Sequence, residues 1–174
     1  MRFKPKPFTE PVGFRCLYCL DCCRGGRHVY LTLKDIERIA RTGKDPQDFV
    51  TFSIEGEKIR FVLSVREWDL GCVFHDPPET GKCTIHKARP PLICRIYPFM
   101  VSKKPLGVEG GEKSFEYRGG ERLWLYYDES CPGVNAEEPE TTITPEEIAE
   151  LGLEFEKELE ETDMDGLAEL LERL

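Results

Sequence analysis

Eight cysteines are the residues of this chain whose type and spacing could do chemistry. Four of them fall within the short segment CLYCLDCC, and the others are spread over the residues that follow. Buried structural cysteines usually occur singly, as small apolar side chains, whereas Cys-x-x-Cys spacing lets two thiolates turn back onto one ion. The pattern therefore predicts metal binding, with the candidate ligands Cys16, Cys19, Cys22, Cys23, Cys72, Cys83, Cys94 and Cys131.

The spacing of the first cysteines bears on which metal is bound. Cys16-x-x-Cys19-x-x-Cys22 matches the local pattern that holds a cubane iron–sulfur cluster in bacterial ferredoxins, where a Cys-Pro pair supplies a further ligand. Here Cys131 precedes Pro132. Zinc also accepts four thiolates, but zinc sites more often use two separated Cys-x-x-Cys pairs. The spacing favours an iron–sulfur cluster, with 4Fe-4S as the expected type and Zn²⁺ as the alternative.

Eight thiolates divide into two tetrahedral sites of four. Adjacent side chains usually diverge, which suggests that Cys22 and Cys23 serve different centres. We therefore expect one site to contain Cys16, Cys19, Cys22 and Cys131, and the other to contain Cys23, Cys72, Cys83 and Cys94.

Other polar residues near the cysteines have less specific roles. His28, His75 and His86 are ligands by type, but with eight cysteines available we expect them to support the site or to lie on the surface. Arg24 and Arg95 could offset thiolate charge or help to bind an anion, or could simply form surface ion pairs. The sequence shows no Ser-His-Asp set, no paired-carboxylate site and no glycine-rich nucleotide fingerprint.

Short elements must position the cysteines. A helix is predicted from Thr32, whose side chain forms a capping box with Asp35. A strand over residues 58–65 leads towards Cys72, and a hairpin tip at residues 81–83 carries Cys83. A second hairpin turns at Gly119-Gly120 before Cys131. The aromatic side chains, including that of Trp68, are expected in a core that shields the metal.

The end of the chain has a different composition. Residues 1–136 contain 22 Lys and Arg and 18 Asp and Glu, whereas residues 137–174 contain 2 and 15. Thr144, Pro145 and Glu147 begin a helix that runs to about residue 160, and a last helix follows near residues 165–173. We predict a small α+β fold, with a cysteine-cluster metal-binding domain at residues 1–136 and an acidic helical extension at residues 137–174.

Composition also bears on location and partners. The sequence shows no secretory signal and no apolar run long enough to span a membrane. We therefore expect a cytoplasmic protein whose thiols stay reduced, which favours metal over disulfides. The acidic helices could bind a protein partner, and nothing indicates nucleic acid or membrane binding.

Five motifs in order resemble the YkgJ-type cysteine-cluster family, also called the CxxCxxCC domain. They are CLYCLDCC, LTLKDIERIARTG, DLGCVF, GKCTIHKARPPLICRIYPF and a final CPG. The resemblance covers about residues 14–135 and includes all eight cysteines. The family's RP…CR.xPF pattern surrounds its seventh cysteine, here Cys94. The matching residues are Arg89, Pro90, Arg95, Pro98 and Phe99. The sequence departs from the family at two positions. Leu20 stands where the family usually has glycine, and His86 stands where it usually has tyrosine.

The resemblance implies a zinc- or iron-chelating domain and leaves the reaction open. Members are often labelled iron–sulfur proteins, which implies a redox or enzyme-accessory role. A zinc-stabilised structural or interaction module is the alternative. The domain also looks like part of flagellin lysine methylases, which implies a protein lysine methyltransferase-like enzyme by analogy alone.

Overall fold

The computed structural model describes residues 3–19, 21–23, 28–76, 82–86 and 90–174. About 29% of the described residues are helix and 27% are strand, and the strands pair antiparallel in small sheets. The predicted α+β class is confirmed.

The elements are short. The strands are β1 (Pro5–Pro7), β2 (Val12–Phe14), β3 (Val50–Glu55), β4 (Lys58–Leu63), β5 (His75–Asp76), β6 (Lys82–Cys83), β7 (Phe99–Ser102), β8 (Phe115–Tyr117), β9 (Glu121–Asp128) and β10 (Thr141–Ile143). The helices are α1 (Leu33–Ala40), α2 (Pro46–Phe49), α3 (Leu92–Ile96), α4 (Pro145–Glu160) and α5 (Met164–Arg173).

The chain divides into two compact units, each made of two stretches. The first unit comprises Met1–Cys19 and Ile96–Glu154, and the second comprises Leu20–Arg95 and Phe155–Leu174. Each unit therefore contains part of the acidic end of the chain. The predicted domain boundary after residue 136 stays a prediction.

The first unit is built on β9. This strand pairs with β1, β7 and β8, and the pair β2–β10 forms a separate two-stranded sheet. The predicted hairpin turn is confirmed, since Gly119 and Gly120 both have positive φ between β8 and β9. The side chains of Leu123, Leu125 and Tyr126 on β9 are buried and form the centre of this unit's core.

The second unit packs α1, α2, α5 and the β3–β4 hairpin around one apolar cluster, which includes Leu31, Ile36 and Phe49. The predicted capping box of α1 is confirmed, because Thr32 accepts from the Asp35 N–H and Asp35 accepts from the Thr32 N–H. Thr32 Oγ1 also donates to the buried carboxylate of Glu158 at 2.9 Å. The capping box thus links the start of α1 to the last stretch of the chain.

One aromatic residue differs from expectation. Trp68, predicted to be in the core, is 80% exposed. The cause at Trp68 is local: Arg66 N–H donates to the Gly71 carbonyl at 2.8 Å and closes a tight loop. Trp68 therefore lies at the loop tip, with its ring against the Arg66 guanidinium.

No helix in the described part of the chain has both the length and the apolar character of a membrane-spanning segment.

A glycine in the first unit allows two backbone segments to approach closely. Phe14 bridges Val134, and the Arg15 N–H donates to the Gly133 carbonyl at 2.9 Å. A Cβ on Gly133 would overlap the carbonyl oxygen of Arg15. The glycine of the CPG motif is therefore required where the motif meets the segment that enters Cys16.

Gly133→Ala is expected to destabilise the first unit, because relieving the overlap needs a backbone shift that costs about 1–3 kcal/mol. Urea unfolding measures this loss. The matched control is Gly107→Ala, since a Cβ at Gly107 meets nothing within 4 Å and its φ is not positive. We expect the control to stay within about 0.5 kcal/mol of the unchanged protein, and equal losses in the two variants would contradict this account.

Candidate metal centre

All eight predicted ligands lie in the described part of the chain, and none is joined to another in a disulfide. The two units divide them unequally. The first unit contains Cys16, Cys19 and Cys131, and the second contains Cys22, Cys23, Cys72, Cys83 and Cys94.

In the second unit, the turn that carries Cys22 and Cys23 is held against the segment that carries Cys72. The Cys72 N–H donates to the Cys23 carbonyl at 2.8 Å. The Cys22 and Cys23 Sγ atoms lie 3.7 Å apart, so these adjacent side chains converge rather than diverge. Cys83 reaches the same unit through β6, where it pairs with His75 of β5.

The thiols of Cys72, Cys83 and Cys94 lie close enough to influence each other's ionisation. Burial, with a smaller contribution from the neighbouring Cys83, raises the pKa of the Cys72 thiol to about 11. Cys94 is exposed as a whole residue, but burial of its thiol raises its pKa well above the usual value, and the nearby thiols of Cys72, Cys22 and Cys83 add to this. Both buried thiols therefore hold protons at neutral pH, and a metal ion must displace them to bind.

This grouping differs from the sequence-based division. The thiols that raise the pKa of Cys94 include Cys22, which was expected to belong with Cys16, Cys19 and Cys131. Cys23, expected in the site of Cys72, Cys83 and Cys94, packs its side chain against the apolar cluster of the second unit, which contains Cys72 and also contacts Cys83, so the two groupings differ only at Cys22. The assumption that adjacent cysteines diverge is not met here, because their Sγ atoms are neighbours.

A buried carboxylate holds the segment that carries Cys94. Asp35 Oδ1 accepts from the Leu92 N–H at 3.0 Å, and Leu92 begins α3, two residues before Cys94. Arg38 donates to the same carboxylate and, at 2.8 Å, to the Pro90 carbonyl. Burial raises the pKa of Asp35, while these donors oppose the rise. We call Asp35 and Arg38 the α1 latch, because together they fix the entry to α3.

An arginine holds the segment between Cys72 and His75. The Arg66 guanidinium donates to the Cys72 carbonyl at 2.9 Å and to the His75 carbonyl. Hydrogen bonds from Arg66 to both Asp69 oxygens lower the pKa of that carboxyl to about 2. A guanidinium only donates, so its 3.3 Å contact assigns His75 Nδ1 as the acceptor.

In the first unit, Asp128 organises the turn before Cys131. Its buried carboxylate accepts from the Lys4 N–H at 3.1 Å, the Ser130 N–H at 3.0 Å and the Tyr97 hydroxyl at 3.0 Å. Burial alone would raise the pKa of Asp128, but these hydrogen bonds outweigh it and the pKa is lowered. The Asp128 carbonyl accepts from the Cys131 N–H at 2.9 Å, which fixes the position of Cys131.

The other candidate residues have ordinary surroundings or lie outside the described residues. His28 is exposed, with its ring edge-on to Tyr30. His86 is half-buried on the turn after Cys83. Arg15 forms ion pairs with Glu138 and Glu140 at 3.9 and 3.4 Å. Arg24, Leu20 and Arg89 lie outside the described residues, as does the predicted hairpin tip at Gly81.

Sequence reasoning missed the roles of Asp35, Arg66 and Asp128. The capping box located Asp35 but gave no sign of its bond to Leu92, which is 57 residues away. An Asp-x-Ser turn preceding Cys131 was a local signal for Asp128, because Asp side chains accept from the N–H two residues on. No local pattern marks Arg66, since its main partners are backbone carbonyls.

The donor set can be tested for fit with a metal ion. A tetrahedral zinc site has Zn–S bonds of about 2.3 Å, so its sulfurs lie about 1.6 times as far apart, at about 3.8 Å. The Cys22–Cys23 Sγ separation of 3.7 Å matches this edge. Among the described residues, no three Cys, His, Asp or Glu side chains are already gathered tightly enough to hold an ion. The thiols therefore fit such an ion in type.

Comparison with known proteins agrees with this chemistry. A family model described as "CxxCxxCC: Putative zinc- or iron-chelating domain" matches residues 15–132, which is more than half of the chain. No curated protein and no solved structure matches the chain in the two further comparisons.

Asp35→Ala is expected to destabilise the second unit by about 3 kcal/mol, the lower end for a broken buried ion pair, because Arg38 keeps some contact with water. The loss has three causes: the Leu92 N–H and the Thr32 N–H lose their acceptor, and Arg38 loses its carboxylate. Chemical unfolding of the metal-loaded protein measures it.

The control for the α1 latch is Glu37→Ala on the same helix. Glu37 pairs with the exposed Arg41 at 2.6 Å, and such a surface pair contributes about 0.3–0.5 kcal/mol. A loss in Asp35→Ala no larger than in Glu37→Ala would show that the latch does not hold α3 in place.

Proposed function

Because the chain belongs to the CxxCxxCC family of zinc- or iron-chelating domains, we propose that its cysteines bind metal as thiolates and that the second unit folds around a single tetrahedral ion. The observation that carries this proposal is the hydrogen bond from the Cys72 N–H to the Cys23 carbonyl, at 2.8 Å, which holds the turn that carries Cys22 against Cys72. Cys22, Cys72 and Cys83 also lie near enough to Cys94 to raise the pKa of its thiol, which gives four thiols for one site.

Two kinds of centre suit four thiolates. One is a single tetrahedral ion, and the other is an iron–sulfur cubane, in which each thiolate binds its own iron and sulfides bridge the irons. Zinc is the ion that most often takes four thiolates in a closed site, and a single thiolate-bound iron has the same tetrahedral arrangement.

The residues of the second unit have separate tasks in this proposal. Cys22, Cys72, Cys83 and Cys94 supply the four thiolates, Cys72 from a buried position and Cys83 from β6. The α1 latch holds the entry to α3, and Arg66 holds the carbonyls of Cys72 and His75. Bound metal supplies positive charge that replaces the displaced protons, and its binding contributes directly to folding.

The first unit supports a second candidate, an iron–sulfur cluster with a redox or enzyme-accessory role. Cys16-x-x-Cys19 and Cys131-Pro132 have the ferredoxin-type sequence, and they supply three of the four thiolates that a cluster takes. The segment entering Cys16 pairs with the CPG segment through the Arg15–Gly133 hydrogen bond. This neighbourhood favours a shared centre for these cysteines. No observation among the described residues favours the methyltransferase-like alternative.

Metal analysis of the protein purified without oxygen is expected to find at least one zinc or iron per chain. Removal of that metal by a chelator is expected to abolish the cooperative unfolding of the second unit, because thiolate sites rarely form before the metal binds. Circular dichroism during thermal unfolding provides the measurement, and re-addition of Zn²⁺ is the control for reversibility.

Analysis of the same sample distinguishes the two candidate functions, a single-ion centre and an iron–sulfur cluster. A colourless protein with zinc and no acid-labile sulfide supports the single-ion proposal for both units. Iron with sulfide, and absorbance near roughly 400 nm, supports a cluster in the first unit. A chain that keeps its melting temperature after complete metal removal would contradict the proposed function.

A further inference from the structure

The β3–β4 hairpin has an apolar face that extends beyond the core of the second unit. Residues directly opposite each other in an antiparallel pair have their side chains on the same face. Phe52 lies opposite Phe61, which is buried in the apolar cluster, and Ile54 lies opposite Ile59 nearer the turn. Phe52, Ile54 and Ile59 are 65%, 69% and 43% exposed. Large apolar side chains gathered on one exposed face mark an interaction surface.

The outer edge of the same hairpin presents backbone hydrogen-bonding groups. The Ser64 N–H donates to the Phe49 carbonyl at 2.8 Å, so the backbone groups of these two residues face each other across the hairpin. Backbone groups of successive residues alternate between the two sides of a strand, and those of Val50, Phe52 and Ile54 therefore point away from β4. Within the described part of the chain, β3 pairs with no strand other than β4.

This edge lacks the features that usually keep an exposed strand from pairing with another chain. Such edges are commonly interrupted by prolines, charged side chains or bulges, and the edge strand β1 has Pro5 and Pro7. The sequence of β3 is VTFSIE, which has no proline and no charge before Glu55, and its pairing with β4 has no bulge. The alternation of apolar and polar residues also makes β3 a suitable added strand for such an edge.

We propose that β3 pairs antiparallel with β3 of a second copy of this chain around a two-fold axis at Ser53, so that the two hairpins form one four-stranded sheet. Phe52 of each copy then lies opposite Ile54 of the other, and each such pair exchanges two hydrogen bonds. The exposed apolar faces join side by side, and Thr51 lies opposite Glu55 of the other copy, so like charges do not face each other along β3. A two-fold contact closes on itself and gives a dimer.

A hydrogen bond within one copy selects this register. The Val50 N–H already donates to the Pro46 carbonyl of α2. A register centred on Phe52 would pair Val50 with Ile54 of the second copy and would need that N–H. The register centred on Ser53 uses only the outward groups of Phe52 and Ile54. So short a pairing buries little surface, and we expect a reversible dimer with a micromolar dissociation constant.

Sedimentation equilibrium of the full-length, metal-loaded protein measures this association. A phosphine reductant keeps the cysteines reduced and excludes disulfide-linked dimers. The chain has a mass of 20.0 kDa, and we expect the average mass to rise towards twice that value as the protein concentration reaches roughly 500 µM. A mass that stays at that of one chain would overturn the proposal and leave the edge to an extended segment of another protein.

Substitutions at Ser53 test the register, because the two copies of this residue face each other at the axis. Ser53→Glu and Ser53→Lys each place like charges opposite one another, and each is expected to weaken the dimer at least about tenfold. An equimolar mixture of the two variants places opposite charges there and is expected to recover association to at least the level of the unchanged protein. That recovery would also show that both variants fold.

The matched control is Ile59→Lys, which adds the same charge to the same hairpin. Ile59 lies on β4, one strand further from the axis than Ile54, so the dissociation constant is expected to stay within about threefold. A loss in Ile59→Lys equal to that in Ser53→Lys would mean that the apolar faces stack while the edges stay apart, and would overturn the proposal. Unchanged association of the single Ser53 variants, or no recovery in their mixture, would overturn it as well.

Discussion

Several thiolates can be buried side by side only with a cation among them, and this constraint governs the second unit. Burial raises the pKa of Cys72 to about 11 and that of Cys94 well above its usual value. Without metal, these positions hold neutral thiols that pack as small apolar groups. With metal, the same positions become ligands. The surrounding fold must therefore allow these side chains to move together onto an ion, a movement that no single thiol can drive.

The hydrogen bonds around the site hold backbone atoms, rather than sulfur atoms, in position. The α1 latch fixes the start of α3, Arg66 fixes the carbonyls of Cys72 and His75, and the Cys72 N–H fixes the Cys23 carbonyl. None of these contacts uses a ligand atom. The side chains of the cysteines thus keep the freedom to move onto an ion while their segments stay in place, which is how outer residues commonly support metal ligands.

Sequence alone predicted the features that depend on a few neighbouring residues. The capping box of Thr32 and Asp35, the matching box of Thr144 and Glu147, and the turn at Gly119-Gly120 all have local signals, and the structure confirms them. The sequence-based division of the cysteines matches the two units except at Cys22, which was grouped with Cys16, Cys19 and Cys131 but lies in the second unit. That outcome depends on contacts between distant segments, such as Asp35 with Leu92.

The error at Trp68 has the same origin. An aromatic residue is usually buried, but the loop closed by Arg66 and Gly71 turns this one outward. The grouping of Cys22 was also decided by the geometry of its turn, which brings two neighbouring sulfurs together where extended backbone would separate them. Residue type indicated metal chemistry correctly, and chain topology determined how the ligands are shared.

X-ray absorption at the metal edge of the natively loaded protein tests the central claim most directly, because it counts the ligands and identifies the atoms next to the metal. The account predicts sulfur ligands only, four per ion at about 2.3 Å, with no second metal near the ion of the second unit. Assignment to that unit follows from loss of this signal in Cys72→Ser. A shell of nitrogen or oxygen ligands there, or a metal–metal distance that depends on Cys72, would contradict it.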